Sequence, residues 1–238
     1  MTKILFYPTM ITKQQRLRHA LDALGVECHN DTSKSFDLAF YWSFHGTVAP
    51  LDEFCQKTPM INKGCDDITK GKVNRIFKNI GVDPLTYKGK VVEKTENQAL
   101  KKWRVIDCPI KETRDGFAYQ KYIDSFDGNY HVEYRVFYAG EAKFVAKTYK
   151  KKQSQPIFDT VEILPVSIFY EDQLGYINNG CADFGLDFGE VDIKMDSNGD
   201  IYVLDINNVA GGMWIELWVK TVMAPYTEMV DKYIKSLS

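Results

Sequence analysis

The stretch from Gly189 to Asn207, GEVDIKMDSNGDIYVLDIN, constrains the fold of this chain more than any other. Asn198-Gly199 separates two alternating runs, and both turn residues tolerate the positive φ of a type I′ turn, so the segment predicts a β-hairpin. A two-residue loop pairs Ser197 with Asp200. Counting outward sets Asp192 opposite Asp205 and Glu190 opposite Asn207, with all four on one face. The other face then carries Val191, Ile193 and Met195 against Ile206, Leu204 and Tyr202, and is the buried side. Directly opposed residues have Cβ atoms about 4.5–5.5 Å apart, where like charges destabilise the pair. Two carboxylates so placed need a cation or a shared proton. Asp192, Asp205 and Asn207 offer only oxygen, which suits Mg²⁺ or Mn²⁺ and, with Mg²⁺, a phosphate-bearing ligand. The same pattern also fits a plain solvated hairpin face. An EF-hand fits less well, because Gly199 falls one place early and the loop lies inside a hairpin.

Upstream, residues 3–7 read as a buried strand, and Thr12 with Gln15 at capping-box spacing opens a helix that carries Leu17, Leu21 and Leu24 and stops at Gly25. Further strands are expected at 36–42 and at 60–62, which makes a small parallel α/β unit. Asp66 or Asp67 would cap a helix bearing Val73, Ile76, Phe77 and Ile80, ended by Gly81. Strands then dominate, at 91–94, 117–123, 132–139 and 142–149, with a turn at 139–141. A helix over 171–184, weakened by Gly175 and Gly180, precedes the hairpin. A helical region over 213–236, broken at Pro225, follows it.

At 238 residues the chain can bury a substantial core. Its 30 basic and 32 acidic side chains leave a net charge of −2, so no global field favours nucleic acid or an anionic membrane. The N-terminus lacks the apolar run of a signal peptide, and no stretch approaches the roughly 20 apolar residues of a membrane span, which reads as cytoplasmic. Five scattered cysteines without a CxxC pair argue against zinc and against a disulfide framework.

The run from Gly185 to Asp192, followed by Tyr202 to Asn207, resembles the metal-binding end of ATP-grasp ligases, in which a first acid on one strand is followed by acid-x-Asn on the next. Asp192, Asp205 and Asn207 fall on those three places, with Asp where Glu is more usual. Other segments agree in order. Met60 to Asn62 and the helix with Lys72 resemble the entry to the ATP-binding lobe, where a lysine reaches the nucleotide. Val91 to Lys94 is similar to the strand whose lysine, here Lys94, contacts the α- and β-phosphates. Phe117 to Ile123 resembles the hinge strand, with Gln120 and with Lys121, Tyr122 and Ile123 beside adenine. Glu133-Tyr-Arg135 matches an acid-x-Arg, and Glu133 would contact ribose.

The resemblance implies an α/β plus α+β architecture: the ATP-grasp fold of the ribosomal-protein glutamate ligase and D-alanine–D-alanine ligase type. Residues 1–64 would form an N-terminal pre-ATP-grasp-like α/β subdomain and residues 65–238 the ATP-grasp domain. Within that domain, 65–122 would be the small lobe and 123–238 the metal-binding lobe, the antiparallel-sheet lobes clamping ATP. It further implies an ATP- and Mg²⁺-dependent carboxylate–amine ligase acting through an acyl phosphate on small-molecule or peptide carboxylates and amines, with a homodimer left open. A nucleotide-binding module without ligase activity and an ATP-dependent phosphotransferase are the competing functions. Two departures stand out. The loop from Thr95 to Lys102, including Lys101, lacks the glycines that let amides close over phosphates, and Glu190 stands where related ligases often carry an arginine. Phosphate neutralisation and catalysis would then fall to Arg135, Lys147 and Lys150 beside Lys94. Substrate contacts are expected around Tyr41 to His45, at 150–160, and at Asn208 to Gly212; His131 and His45 read as polar structural residues or substrate contacts.

Overall fold

A computed structural model describes residues 1–43, 51–96, 102–151, 160–208 and 216–237. Apolar β-rich runs near the N-terminus build a three-stranded parallel sheet from β1 (Lys3–Pro8), β2 (Glu27–His29) and β3 (Leu38–Trp42), in the order β2-β1-β3. The segment expected as a strand at 60–62 contributes one bridge: Ile61 exchanges backbone hydrogen bonds with Ala39 and Tyr41 at 2.9 and 2.8 Å. Helix α1 (Arg16–Ala23) begins at Arg16. Only half of the expected capping box forms, with the Gln15 side chain accepting from Thr12 N at 2.7 Å. A short α2 (Glu53–Lys57) follows β3.

Helix α3 (Lys70–Ile76) is capped by Thr69, whose hydroxyl accepts from Lys72 N at 3.2 Å. Asp67, one of the two expected caps, accepts instead from Thr69 N. Strands β4 (Gly89–Thr95), β5 (Trp103–Cys108) and β6 (Phe117–Lys121) form an antiparallel sheet with β4 in the middle. The main sheet runs β10-β9-β8-β11-β12, built from β8 (Tyr130–Ala139), β9 (Ala142–Lys151), β10 (Thr160–Leu164), β11 (Phe188–Met195) and β12 (Ile201–Asn207), with the two-residue β7 (Phe126–Asp127) beside β8. β2, β5, β7 and β10 lie outside the expected strands. All are short or at an edge, where few side chains are buried to set an alternation.

Helix α4 (Glu171–Phe184) spans the expected residues. Gly180 serves packing, because a Cβ there would stand 2.2 Å from the Phe77 ring. Helix α5 (Glu216–Leu237) runs through Pro225 without the expected break. Val222, Tyr226, Met229 and Val230 of this helix are buried against Phe137 and Phe188, and that packing outweighs the backbone hydrogen bond lost at proline. One face of the main sheet packs on α5, α1 and β1; the other packs on α3 and α4 through Val136, Val191, Ile193 and Ile206. Among the described residues no helix is long and apolar enough to cross a membrane, and all five cysteines are free.

Candidate active site

The β11–β12 hairpin pairs Asp192 with Asp205 and Glu190 with Asn207, as the sequence predicts, but by a different route. The turn is a three-residue loop: Asp196 N bonds Asp200 O at 3.0 Å, and Gly199 (φ 85°) donates to Asp196 O. Left uncorrected, that loop would slip every later pair by one residue. A bulge between Asp192 and Ile193 takes Leu204 out of the pairing and restores the register. The buried residues of the hairpin therefore include Ile193, Ile201 and Val203, while the expected Leu204 and Tyr202 are half-buried against the same core and Leu204 also lines a cleft.

Both aspartates are held by cations. Asp192 accepts from Arg135 Nε at 2.7 Å and Nη2 at 3.2 Å, and from Asn207 Nδ2 at 3.2 Å. Asp205 pairs with Lys70 of α3, which is 7% exposed. Burial, and next the Asp192 charge, raise the Asp205 carboxyl pKa, against the pull of Lys70. Among the described residues no three His, Cys, Asp or Glu side chains gather as a metal cage. Two carboxylates and one amide oxygen instead fit Mg²⁺ shared with phosphates, since that ion keeps part of its shell for water and nucleotide.

Beside this pair opens a cleft of about 310 Å³ between the two antiparallel sheets, lined by Lys94, Gln120, Lys121, Tyr122, Ile123, Glu133 and Lys150, together with Lys194 and His131. Val92, Trp103 and Val105 of the small sheet face Leu204 across it, which gives a flat ligand two apolar walls. Gln120 is fully buried. Its amide donates to Asn74 Oδ1 at 2.9 Å and Leu204 O at 3.2 Å, which fixes the amide orientation, and its carbonyl oxygen has no partner among the described residues. Burial pulls the Lys94 amine down to about 8 and Lys194 down as well, in each case against nearby acids. Lys194 lies 4.0 Å from Glu133.

Comparison with solved structures identifies the fold. The ATP-grasp ligase PsnB, solved with minimal precursor, Mg and ADP, matches with a TM-score of 0.61 at 13% identity over 100% of this chain and 97% of that one. In another PsnB structure the match spans 75% of this chain and 65% of that one. The chain has the ATP-grasp fold. The macrocyclase MdnC bound with precursor peptide MdnA, from Microcystis aeruginosa MRC, matches at TM-score 0.56 and 12% identity over 99% and 100% of the two chains. The D-cycloserine synthetase DcsG matches at 0.55 and 13% over 100% of both. No protein-family model and no curated protein matches the sequence.

Of the residues expected from the ATP-grasp resemblance, Lys94, Gln120, Lys121, Tyr122, Ile123, Glu133 and Lys150 converge on the cleft, and Arg135, Asp192, Asp205 and Asn207 gather at the carboxylate pair. Two do not. Lys72 points away, donating to Gly64 O at 3.1 Å with its amine 4.4 Å from the Phe184 ring centre. Lys147 lies on the opposite face of the main sheet, over the rings of Tyr134 and Tyr149. Both corrections have a geometric cause. Positions 70 and 72 lie about 200° apart around a helix, so only one can face the site, and Lys70 is the one in line with buried Val73 and Phe77. Lys147 and Lys150 are three apart on one strand and so face opposite ways. Lys70, Leu204, Lys194 and Trp103 are the additions the sequence reading missed. Residues 44–50 with His45, 97–101 with Lys101, 152–159 and 209–215 lie outside the described residues, and the expectations placed on them go with them.

Proposed function

We propose that this chain is an ATP-dependent carbon–nitrogen ligase that joins a carboxylate to an amine with Mg²⁺. The observation that carries the reading is the placement of Asp192 and Asp205, directly opposed and held by Arg135 and Lys70, beside a cleft lined by Lys94, Lys121, Lys150 and Lys194. Acids on one side and an amine surplus on the other suit a metal–triphosphate, whose charge phosphoryl transfer must neutralise. Asp192, Asp205 and Asn207 would hold the metal, which supplies charge neutralisation at the phosphates. Lys94 and Lys70 would contact phosphate, and Glu133 the ribose. The Gln120 carbonyl, with its amide already spent, can only accept, which favours a base edge that carries an amino group.

In the reaction, a substrate carboxylate oxygen attacks the γ-phosphorus and ADP leaves. The amine then attacks the acyl carbon, phosphate leaves, and the amine gives up a proton. Peptide carboxylates are among the substrates we propose, since PsnB and MdnC were solved with precursor peptides. The division at residues 64 and 122 belongs to this reading.

A screen of ATP turnover with pooled carboxylates and amines tests it. ADP release that requires both an acid and an amine marks a ligase, and release without the amine, with a stable phosphorylated product, marks a phosphotransferase. Asp205→Asn is expected to lower Mg²⁺-dependent turnover at least ~100-fold. Wild-type turnover in that variant, or no heat on titrating Mg·ATP into the native chain, overturns the proposal.

A further inference from the structure

A second line of charge reaches the metal end from the N-terminal sheet. Arg16, the first residue of α1, is 2% exposed and pairs with Glu190 of β11, itself 1% exposed. Glu190 also faces Arg135, whose Nη1 lies 3.3 Å from it, and Arg135 holds Asp192 through Nε and Nη2. Charges thus alternate along one row, buried at Arg16 and Glu190 and half-buried at Arg135 and Asp192. A buried ion pair is weak evidence for stability, because apolar residues of similar volume usually serve as well. A carboxylate with two guanidiniums, one of them shared with the site, has a more specific consequence.

We infer that Arg16 is a positioning residue for the metal site: by satisfying Glu190 it leaves Arg135 on Asp192. This rests on the nucleotide reading above only for what the site binds, not for the row itself. Without Arg16, the cation left on Glu190 among the described residues is Arg135, already within 3.3 Å, and the guanidinium is drawn off Asp192 toward it. Without both Arg16 and Glu190 that competition ends and Arg135 returns. Sequence distance hides this link, since 174 residues separate Arg16 from Glu190.

Arg16→Gln, the double variant Arg16→Gln with Glu190→Gln, and the native chain are compared in two measurements. In metal-free protein carrying ¹⁵N-arginine, the Arg135 Nε–H resonance should move in Arg16→Gln and return toward its native position in the double variant. By calorimetry, well below the melting temperature, Mg·ADP should bind about tenfold more weakly to Arg16→Gln, and the double variant should recover most of that loss. A pair that only stabilises the fold would lower the melting temperature and leave resonance and affinity where they were, which overturns the inference; so would a double variant no better than the single one. If Arg16→Gln does not fold, Arg16→Lys, which keeps the charge but not the planar fork, should move the resonance the same way by less, and no movement overturns the inference. A native chain that ignores Mg·ADP sinks the nucleotide reading alone, and the arginine resonances still decide the row.

Discussion

The two faces of the main sheet carry cavities of similar size, and their chemistry is opposite. Among the described residues, the front cleft, about 310 Å³, is lined by four lysines and one acid, Glu133. The back cavity, about 340 Å³, is lined by Asp124, Asp127 and Asp196 with one lysine, Lys147. In front, burial wins and lowers both Lys94 and Lys194. Behind, burial acts on Lys147 in the same direction, but the hydrogen bond with Tyr149 and the neighbouring Tyr134 and Asp127 outweigh it, so its amine holds its proton more firmly than usual. Counting lysines along β9 therefore says little about a phosphate site. What distinguishes the front, among the described residues, is a surplus of amines beside two apolar walls.

Substitutions that divide the two faces test this contrast. The largest effect is expected at α3: Lys70→Met should weaken Mg·ADP binding at least ~10-fold, because it removes the cation paired with half-buried Asp205, whereas Lys72→Met should change binding less than ~2-fold. Calorimetry on the two variants would reverse the assignment if their order were inverted. The next effect is on pH. Lys94, held down to about 8, is charged below that value and neutral above it. Affinity for Mg·ADP should be level up to about pH 8 and then fall by up to ~10-fold per pH unit, with a proton taken up on binding at pH 9, detectable from calorimetry in buffers of different ionisation heat. Lys94→Met should abolish the slope. The same depression, from 10.5 to about 8, means the folded chain carries fewer protons than the unfolded one across that window, so this group adds stability as pH rises through it. The smallest effect belongs to the back face: Lys147→Met should leave Mg·ADP affinity within ~2-fold, and a larger loss would mean that the two faces are coupled.

How far the sequence could be read depended on how local the signal was. The Asp192–Asp205 pairing was legible, although the inferred two-residue loop and unbulged strand were both incorrect and their errors cancelled. The strands that carry Lys94 and Gln120 were legible because each is a short β-rich run. Lys72 rests on the resemblance alone; with Thr69 as the helix cap in place of Asp66 or Asp67, the stripe of Lys70, Val73 and Phe77 is visible in the sequence. Lys147 was avoidable from strand parity alone. The break at Pro225 was not avoidable, since only the packing of α5 on Phe137 and Phe188 overrides the proline.

By itself the sequence determined the longer strands and helices, the Asn-Gly reversal and the carboxylates flanking it, because turn chemistry and side-chain alternation act over a few residues. The tertiary structure decided which amines meet those carboxylates. Lys70 reaches Asp205 from another element, Arg16 reaches Glu190 across 174 residues, and Leu204 faces the cleft only because a bulge turned it. Contacts of that kind follow from how layers pack and where a register slips, and no local pattern in the chain encodes either.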